Sequence, residues 1–264
     1  MDLTKAFDNV KLSLLFQKLK NKVPPILIRI LIYSYIHQEC FISWSGVKSS
    51  VFGIKNGVRQ GAVLSPPLFN LYIDDIHQKL NESGFGCQIE DLYCGCYAYA
   101  DDISLIVPSR EALQEMINIC SRYFNEHGIK ISTNHDIRKT KTKVLVFGVK
   151  DYPANLMLND RPLPYVESWH HLGPLIHSDG STTHDIDEKR RDFIGKIHSF
   201  RQEFGNQNPT VFFKLVFSYF LHFYGSSLWD LHCVQIEKLW SCWHKTIKCT
   251  FELPFPTHST YYRI

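Results

Sequence analysis

The sequence predicts an α+β fold: an antiparallel sheet with helices on one face over residues 1–180, then an all-helical region over 181–264. Three observations carry that prediction. Residues 97–107 read as strand, tight turn, strand, with apolar and aromatic residues on both sides of Asp101-Asp102. A helical pattern follows (Leu113, Met116, Ile117, Cys120, Phe124), and then two short apolar strands, 129–131 and 143–147. From Thr182 onward only helical periodicity remains.

Taken in order, residues 2–10 read as the end of a strand and the turn after it, with Asp8 placed to cap the first helix. Leu12, Leu15, Phe16 and Leu19 recur at helical spacing. Pro24-Pro25 opens a second helix with apolar positions from Ile26 to Ile36. Residues 41–44 and 50–52 read as hairpin strands around Ser45-Gly46. Residues 56–61 form a loop whose glycines let backbone approach a ligand closely. Ser65 is placed to cap the next helix, which carries Pro66 in its first turn. Leu68, Phe69, Tyr72, Ile73 and Ile76 are its buried stripe, and Asp74-Asp75 reads as surface charge.

Residues 81–86 break the chain before the 97–107 hairpin. Pro108-Ser109 starts the following helix and Gly128 ends it. Residues 156–158, the turn Asn159-Asp160, and residues 165–176 suggest further hairpin structure. His170 and His171 are adjacent on a strand, so their side chains point to opposite faces and do not share a metal. Three helical stripes close the chain. The first is Ile186, Arg190, Phe193, Ile197 and Phe204; the second, more deeply buried, is Phe212, Leu215, Val216, Tyr219 and Phe223; the third is Ile236, Leu239, Trp240, Trp243 and Ile247.

Bulk properties permit a substantial core: 264 residues, 44% hydrophobic and 14% aromatic. With 29 Lys+Arg against 26 Asp+Glu, charge is nearly balanced, which permits nucleic-acid binding without demanding it. The local clusters, Arg138 to Lys143 and Lys189-Arg190-Arg191, matter more than the total. The eight cysteines are scattered. Cys94 and Cys96 are too close for an ordinary disulfide and no second Cys/His pair completes a zinc pattern, so they read as free thiols in a reducing compartment. The N-terminus has no basic-then-apolar run. Residues 211–231 are the most apolar stretch, but Lys214, His222, Asp230 and the Gly225-Ser226-Ser227 break mark a buried helix, not a membrane span. The expected location is intracellular, with nucleus and cytoplasm both open.

The chemistry starts at Asp101-Asp102. Two adjacent anions on a rigid hairpin tip repel, and a divalent cation with oxygen ligands is the usual compensation. Two further stretches lie upstream: Asp2-Leu3-Thr4-Lys5-Ala6-Phe7-Asp8, and residues 56–70, which begin Asn56-Gly57-Val58-Arg59-Gln60-Gly61. Together and in this order, the three resemble the palm of reverse transcriptases, more narrowly those of non-LTR, LINE-type retrotransposons. The resemblance runs along nearly the whole chain.

That resemblance implies an RNA-directed DNA polymerase with a palm over 1–180 and a thumb-like helical region over 181–264. It implies Asp2, Asp101 and Asp102 as catalytic metal ligands for Mg2+, two ions about 3.5–4 Å apart, with Mn2+ as a substitute. Phe7 corresponds to the aromatic gate beneath the sugar of the incoming nucleotide, where a bulky ring excludes a 2′-hydroxyl. Gln60 and Gly61 correspond to contacts with the templating base pair and the nucleotide. Leu172 and Gly173 match an element that helps grip the primer end. A lysine near the leaving pyrophosphate is implied too, but the 132–139 connection looks longer than usual, so Lys139, Lys141 and Lys143 all stay open. Lys189, Arg190, Arg191 and Lys196 either track a phosphate backbone or form a solvated helix face. The implied partners are an RNA template, a DNA primer and deoxynucleoside triphosphates, with no membrane.

The family carries a fingers region before the point matching Asp2. Asp2 is therefore expected on a frayed terminus, and little activity is expected of this chain alone. The second reading, from another class, is a catalytically inactive nucleic-acid-binding remnant or gene fragment.

Overall fold

In the computed structural model, residues 1–134, 136, 139–148, 155–205, 208–220, 223–254 and 256–257 are described. Arg138 and His222 lie outside them. The chain divides into two compact units, Met1–Val144 with Pro153–Pro164, and Leu145–Tyr152 with Tyr165–Ile264.

The first unit runs in order through β1 (Leu3–Thr4), α1 (Leu12–Leu19), α2 (Pro25–Ile36), β2 (Glu39–Cys40), β3 (Ser43–Trp44), β4 (Val47–Lys48) and β5 (Phe52–Gly53). It continues with α3 (Ser65–Ile73), α4 (Asp75–Glu82), β6 (Gln88–Ile89), β7 (Leu92–Tyr93), β8 (Cys96–Tyr99), β9 (Asp102–Leu105), α5 (Arg110–Glu126) and β10 (Lys130–Ile131). Then come β11 (Val144–Leu145), within which the sequence division falls, β12 (Met157–Leu158) and β13 (Arg161–Pro162).

Four of these strands form the sheet that matters. β8 and β9 are the expected hairpin, with Tyr99 opposite Asp102 and Ala98 opposite Ile103. β1 pairs antiparallel with β10, Leu3 opposite Ile131. An antiparallel bridge between Asp2 and Asp102 joins the two pairs, giving the order β8–β9–β1–β10. Alternation does the rest. Leu3, Cys96, Ile103 and Ile131 are buried on one face. The helices supply Phe69, Tyr72, Ile76, Leu80, Met116, Ile117, Cys120 and Phe124 to the same core, with Leu15 and Leu19 of α1.

Local chemistry accounts for the helix ends. Ser109 caps α5, its Oγ accepting from the Ala112 N–H at 3.2 Å. Ser65 does not cap: it is the first residue of α3, and its hydroxyl donates back to the Arg59 carbonyl. The helix from Ser65 is interrupted at Asp74, where Asp74 pairs with Lys22 and Asp75 with Lys18, each at 2.8 Å. α2 departs from what its composition suggests. It is apolar nearly all round, a pattern of buried helices, yet Tyr35 is its one buried residue while Ile26, Ile30, Tyr33 and Ile36 are exposed.

The second unit contains β14 (Tyr165–Val166), β15 (Ser168–His170), β16 (Leu175–His177), α6 (Thr183–Phe204), α7 (Pro209–Phe220) and α8 (Val234–Thr250). It begins before position 181 and is not purely helical, because the β15–β16 hairpin packs on α6. Asp185 of α6, 3% exposed, accepts from the Leu175 N–H at 2.9 Å and from Trp229 Nε1 at 2.7 Å. Phe193, Ile197, Phe212 and Val216 form the helical core, with Phe200, Phe220, Phe223 and Trp243 against it. Phe213 is buried though outside the expected stripe, whereas Phe204, Tyr219 and Trp240 are exposed. Among the described residues no helix is long and apolar enough to cross a membrane.

Asp185 ties strand, helix and the Trp229 indole with two charge-assisted bonds. Asp185→Ala leaves both donors buried and unmatched, and is expected to cost about 2–4 kcal/mol; Asp185→Asn, which keeps an acceptor, should cost roughly half as much. Urea unfolding followed by tryptophan fluorescence reads both.

Candidate active site

The sheet face opposite the core carries the acids. In an antiparallel pair, side chains directly opposite share a face. The Asp2–Asp102 bridge and the Tyr99–Asp102 pairing therefore put Asp2, Asp102 and Tyr99 on one face, with Tyr97 and Ser104 the next pair along it. Asp101 is in the hairpin turn beside them, after Ala100 at φ 52°. Two carboxylates a hundred residues apart are thus brought to one place by backbone hydrogen bonding.

Asp2 is not frayed. Ser132 N–H donates to its carbonyl at 2.7 Å, Ile103 N–H donates to the Met1 carbonyl at 3.0 Å, and the Met1 amine donates to the Ile103 carbonyl. The backbone around Asp2 is held from both sides, by β9 and by the end of β10.

The electrostatics are unbalanced. Burial raises the Asp2 carboxyl above its ordinary range; Lys141 draws it back, Asp101 and Asp102 push it up again, and the Ser132 hydroxyl lowers it by donating. Lys141 Nζ is 3.8 Å from Asp2 Oδ1. Lys141 is thus ion-paired to Asp2. The local reason is alternation: Thr140 and Thr142 are buried, so Lys141 between them points out. That Thr-Lys-Thr pattern was a readable signal for this lysine; Ser132 had none. An all-oxygen donor set with a net negative field suits a hard divalent cation such as Mg2+.

Around residues 56–61 the structure builds a clamp. Val58 N–H donates to the Phe7 carbonyl and Gly57 N–H to the Val10 carbonyl, both at 2.8 Å. Gly57 has φ 91°, and a Cβ there would stand 2.9 Å from the Asp8 backbone, so glycine is required. Asp8 caps no helix, the N-cap of α1 being Lys11. Instead Asp8 Oδ1 accepts from Gln60 Nε2 at 3.0 Å. Arg59 Nε donates to the buried Gln38 Oε1 at 2.8 Å. The Phe7 ring, half-buried, stacks on Phe69 with centroids 4.8 Å apart. Gly61 (φ 83°) has open space where a Cβ would be. Phe7 and Gln60 are therefore brought to one loop cluster, with Gly61 next in the chain.

Leu172 and Gly173 belong to the second unit. They form the β15–β16 turn at φ 51° and 107°. Lys189 Nζ donates to the Gly173 carbonyl at 3.4 Å, and a Cβ at Gly173 would stand 3.0 Å from the Tyr224 ring.

Comparison with known proteins gives a family and relatives. The family described as reverse transcriptase (RNA-dependent DNA polymerase) matches residues 1–173. A Drosophila funebris protein described as RNA-directed DNA polymerase from mobile element jockey is 27% identical over 214 residues, 79% of this chain and 22% of that protein. A Nasonia vitripennis protein described as a retrovirus-related Pol polyprotein from type-1 retrotransposable element R2 is 27% identical over 191 residues, 68% of this chain and 18% of that one. The chain spans about a fifth of the length of these relatives.

The raised Asp2 pKa sets a pH dependence. The folded state holds this proton more tightly than the unfolded chain. The resulting stability is complete below the ordinary carboxylate pKa and is lost as pH rises through the raised value. At neutral pH, ionised Asp2 is thus a cost. Asp2→Asn is expected to raise the thermal midpoint in chelator at pH 7, to flatten its fall between mildly acidic and neutral pH, and to weaken Mg2+ binding. Thermal melts across pH, with and without Mg2+, read all three.

Proposed function

The chain belongs to the reverse transcriptase (RNA-dependent DNA polymerase) family, and on that premise we propose that its first unit is the palm of a non-LTR retrotransposon RNA-directed DNA polymerase. Its reaction is template-directed addition of deoxynucleotides to a primer 3′-hydroxyl. The observation that supports this best is the bridge joining Asp2 to Asp102, with Asp101 in the adjoining turn.

In this reading Asp2, Asp101 and Asp102 would hold two Mg2+ ions, with Mn2+ as a substitute, and the ions would supply activation of the attacking hydroxyl and charge stabilisation of the leaving oxygens. The chain's own residues position and neutralise, which is most of the work in phosphoryl transfer. Phe7, its ring stacked on Phe69, is the bulk that excludes a 2′-hydroxyl. Gln60, tethered by Asp8, and Gly61, unobstructed, meet the base pair and the nucleotide. Lys141 is the cation for the leaving pyrophosphate. Leu172 and Gly173 grip the primer end, and α6–α8 act as the thumb. Arg190 and Lys196 pair with Asp187 and Asp192 within α6, whereas Lys189 and Arg191 donate to the neutral carbonyls of Gly173 and Asp187, which makes the latter two the stronger backbone contacts. The template is RNA and the primer DNA.

The purified chain, given Mg2+, an RNA template and a DNA primer, is expected to incorporate deoxynucleotides slowly, and Asp101→Ala to lower this by about 10²–10³-fold or more. Extension that survives Asp101→Ala would remove the acids from the mechanism. Salt-dependent binding to primer–template with no extension, indifferent to Asp101→Ala, would identify a nucleic-acid-binding remnant instead.

Phe7→Ala should admit ribonucleotides, raising their incorporation relative to deoxynucleotides by at least about tenfold. Single-turnover incorporation of each nucleotide type measures the ratio, and an unchanged ratio would reduce Phe7 to a packing residue.

A further inference from the structure

A second cluster of potential ligands lies in the second unit, where β16 gives way to α6. His177 ends the strand, Asp179 is in the turn, and His184 is in the first helical turn. Their ligand atoms all lie within 4.8 Å of one another. His177 Nδ1 is 3.0 Å from Asp179 Oδ1, and His184 Nε2 is 2.9 Å from Asp179 Oδ2. The two imidazoles are stacked, centroids 3.8 Å apart and 12° from parallel, so their nitrogens reach the same carboxylate from one side. Ser181 N–H donates to Asp179 Oδ1 at 2.8 Å and fixes the turn.

One detail distinguishes this from an ordinary histidine–aspartate contact. The Asp179 N–H donates to His177 Nδ1 at 3.2 Å. A nitrogen that accepts there carries a lone pair, not a proton. The same nitrogen stands 3.0 Å from Asp179 Oδ1, a contact that is attractive only when a proton or a cation is shared between the two atoms. Ligand atoms bound at about 2.0–2.1 Å to one ion stand roughly 3 Å apart, and the two histidine–carboxylate separations here, 3.0 and 2.9 Å, are close to that.

We propose that His177, Asp179 and His184 form a site for a borderline-soft divalent transition metal of the zinc type, which fastens the end of the β15–β16 hairpin to the start of α6. Two imidazoles and one carboxylate favour such an ion over Mg2+ or Ca2+, which take oxygen. The site is separate from Asp2, Asp101 and Asp102 in chain, donor type and metal class, and does not depend on the proposed reaction. Three protein ligands leave a coordination position for water.

Co2+, spectroscopically visible, is the probe. The full chain, stripped by chelator, is titrated in excess Mg2+, which occupies oxygen-only acids without competing for imidazole. One equivalent should bind with ligand-field bands and no thiolate charge-transfer band, and Zn2+ should displace it. His184→Ala and Asp179→Asn should each weaken binding at least about tenfold. Zn2+ should raise the thermal midpoint of the wild type and not of the variants. Asp179→Asn keeps the shape of the turn and an acceptor for Ser181, so it decides the matter if the alanine variant fails to fold. Undiminished affinity in Asp179→Asn, or Co2+ bound with thiolate bands, overturns the proposal.

Discussion

Much of the first unit depends on one backbone pairing, the bridge between Asp2 and Asp102. It makes two hairpin-sized pieces into one sheet, and it aligns two carboxylates of distant origin. Antiparallel pairing leaves no choice about sides: residues opposite each other share a face. The register that buries Leu3, Ile103 and Ile131 under the helices is therefore the register that exposes the acids together. A one-residue slip would exchange the two sets. Apolar burial thus holds like charges side by side against their repulsion.

The glycine loop obeys a similar logic at shorter range. Gly57 approaches the Asp8 backbone too closely for any side chain, and that approach lets two loop N–H groups reach the carbonyls of Phe7 and Val10. The clamp fixes Phe7 from behind while its ring is fixed by Phe69. It also brings Gln60 within reach of Asp8. The position of each candidate nucleotide contact is thus inherited from backbone hydrogen bonds and steric exclusion.

Legibility in the sequence was a matter of range. The 97–107 hairpin, the Ser109 cap, the Gly128 stop and the Leu68–Ile76 stripe are set by residues within a turn or two of one another, and the structure contains them all. Asp8 and Ser65 were misjudged because each has a nearby helix it could cap, whereas the partner it takes, Gln60 or the Arg59 carbonyl, is available only once the loop folds back. The security of Asp2 was invisible for the same reason, since both strands holding it lie a hundred residues or more away. Exposure in α7 and α8 was misread at Tyr219 and Trp240 because a helix apolar on several sides does not declare which side has a neighbour.

Asp185 and Asp2 show how differently two partly buried carboxylates are satisfied. Both are removed in part from water. Asp185 spends its two oxygens on two N–H donors. Asp2 has one hydroxyl donor and an ammonium at 3.8 Å, set against two further carboxylates. Burial and those neighbours hold the Asp2 carboxyl above its ordinary range, although its backbone is held from both sides. A sheet that fixes a carboxylate so firmly and neutralises it so incompletely is stable only because its other face is well packed. In the proposed reading, that incompletely neutralised carboxylate on a rigid support is what a hard cation would meet.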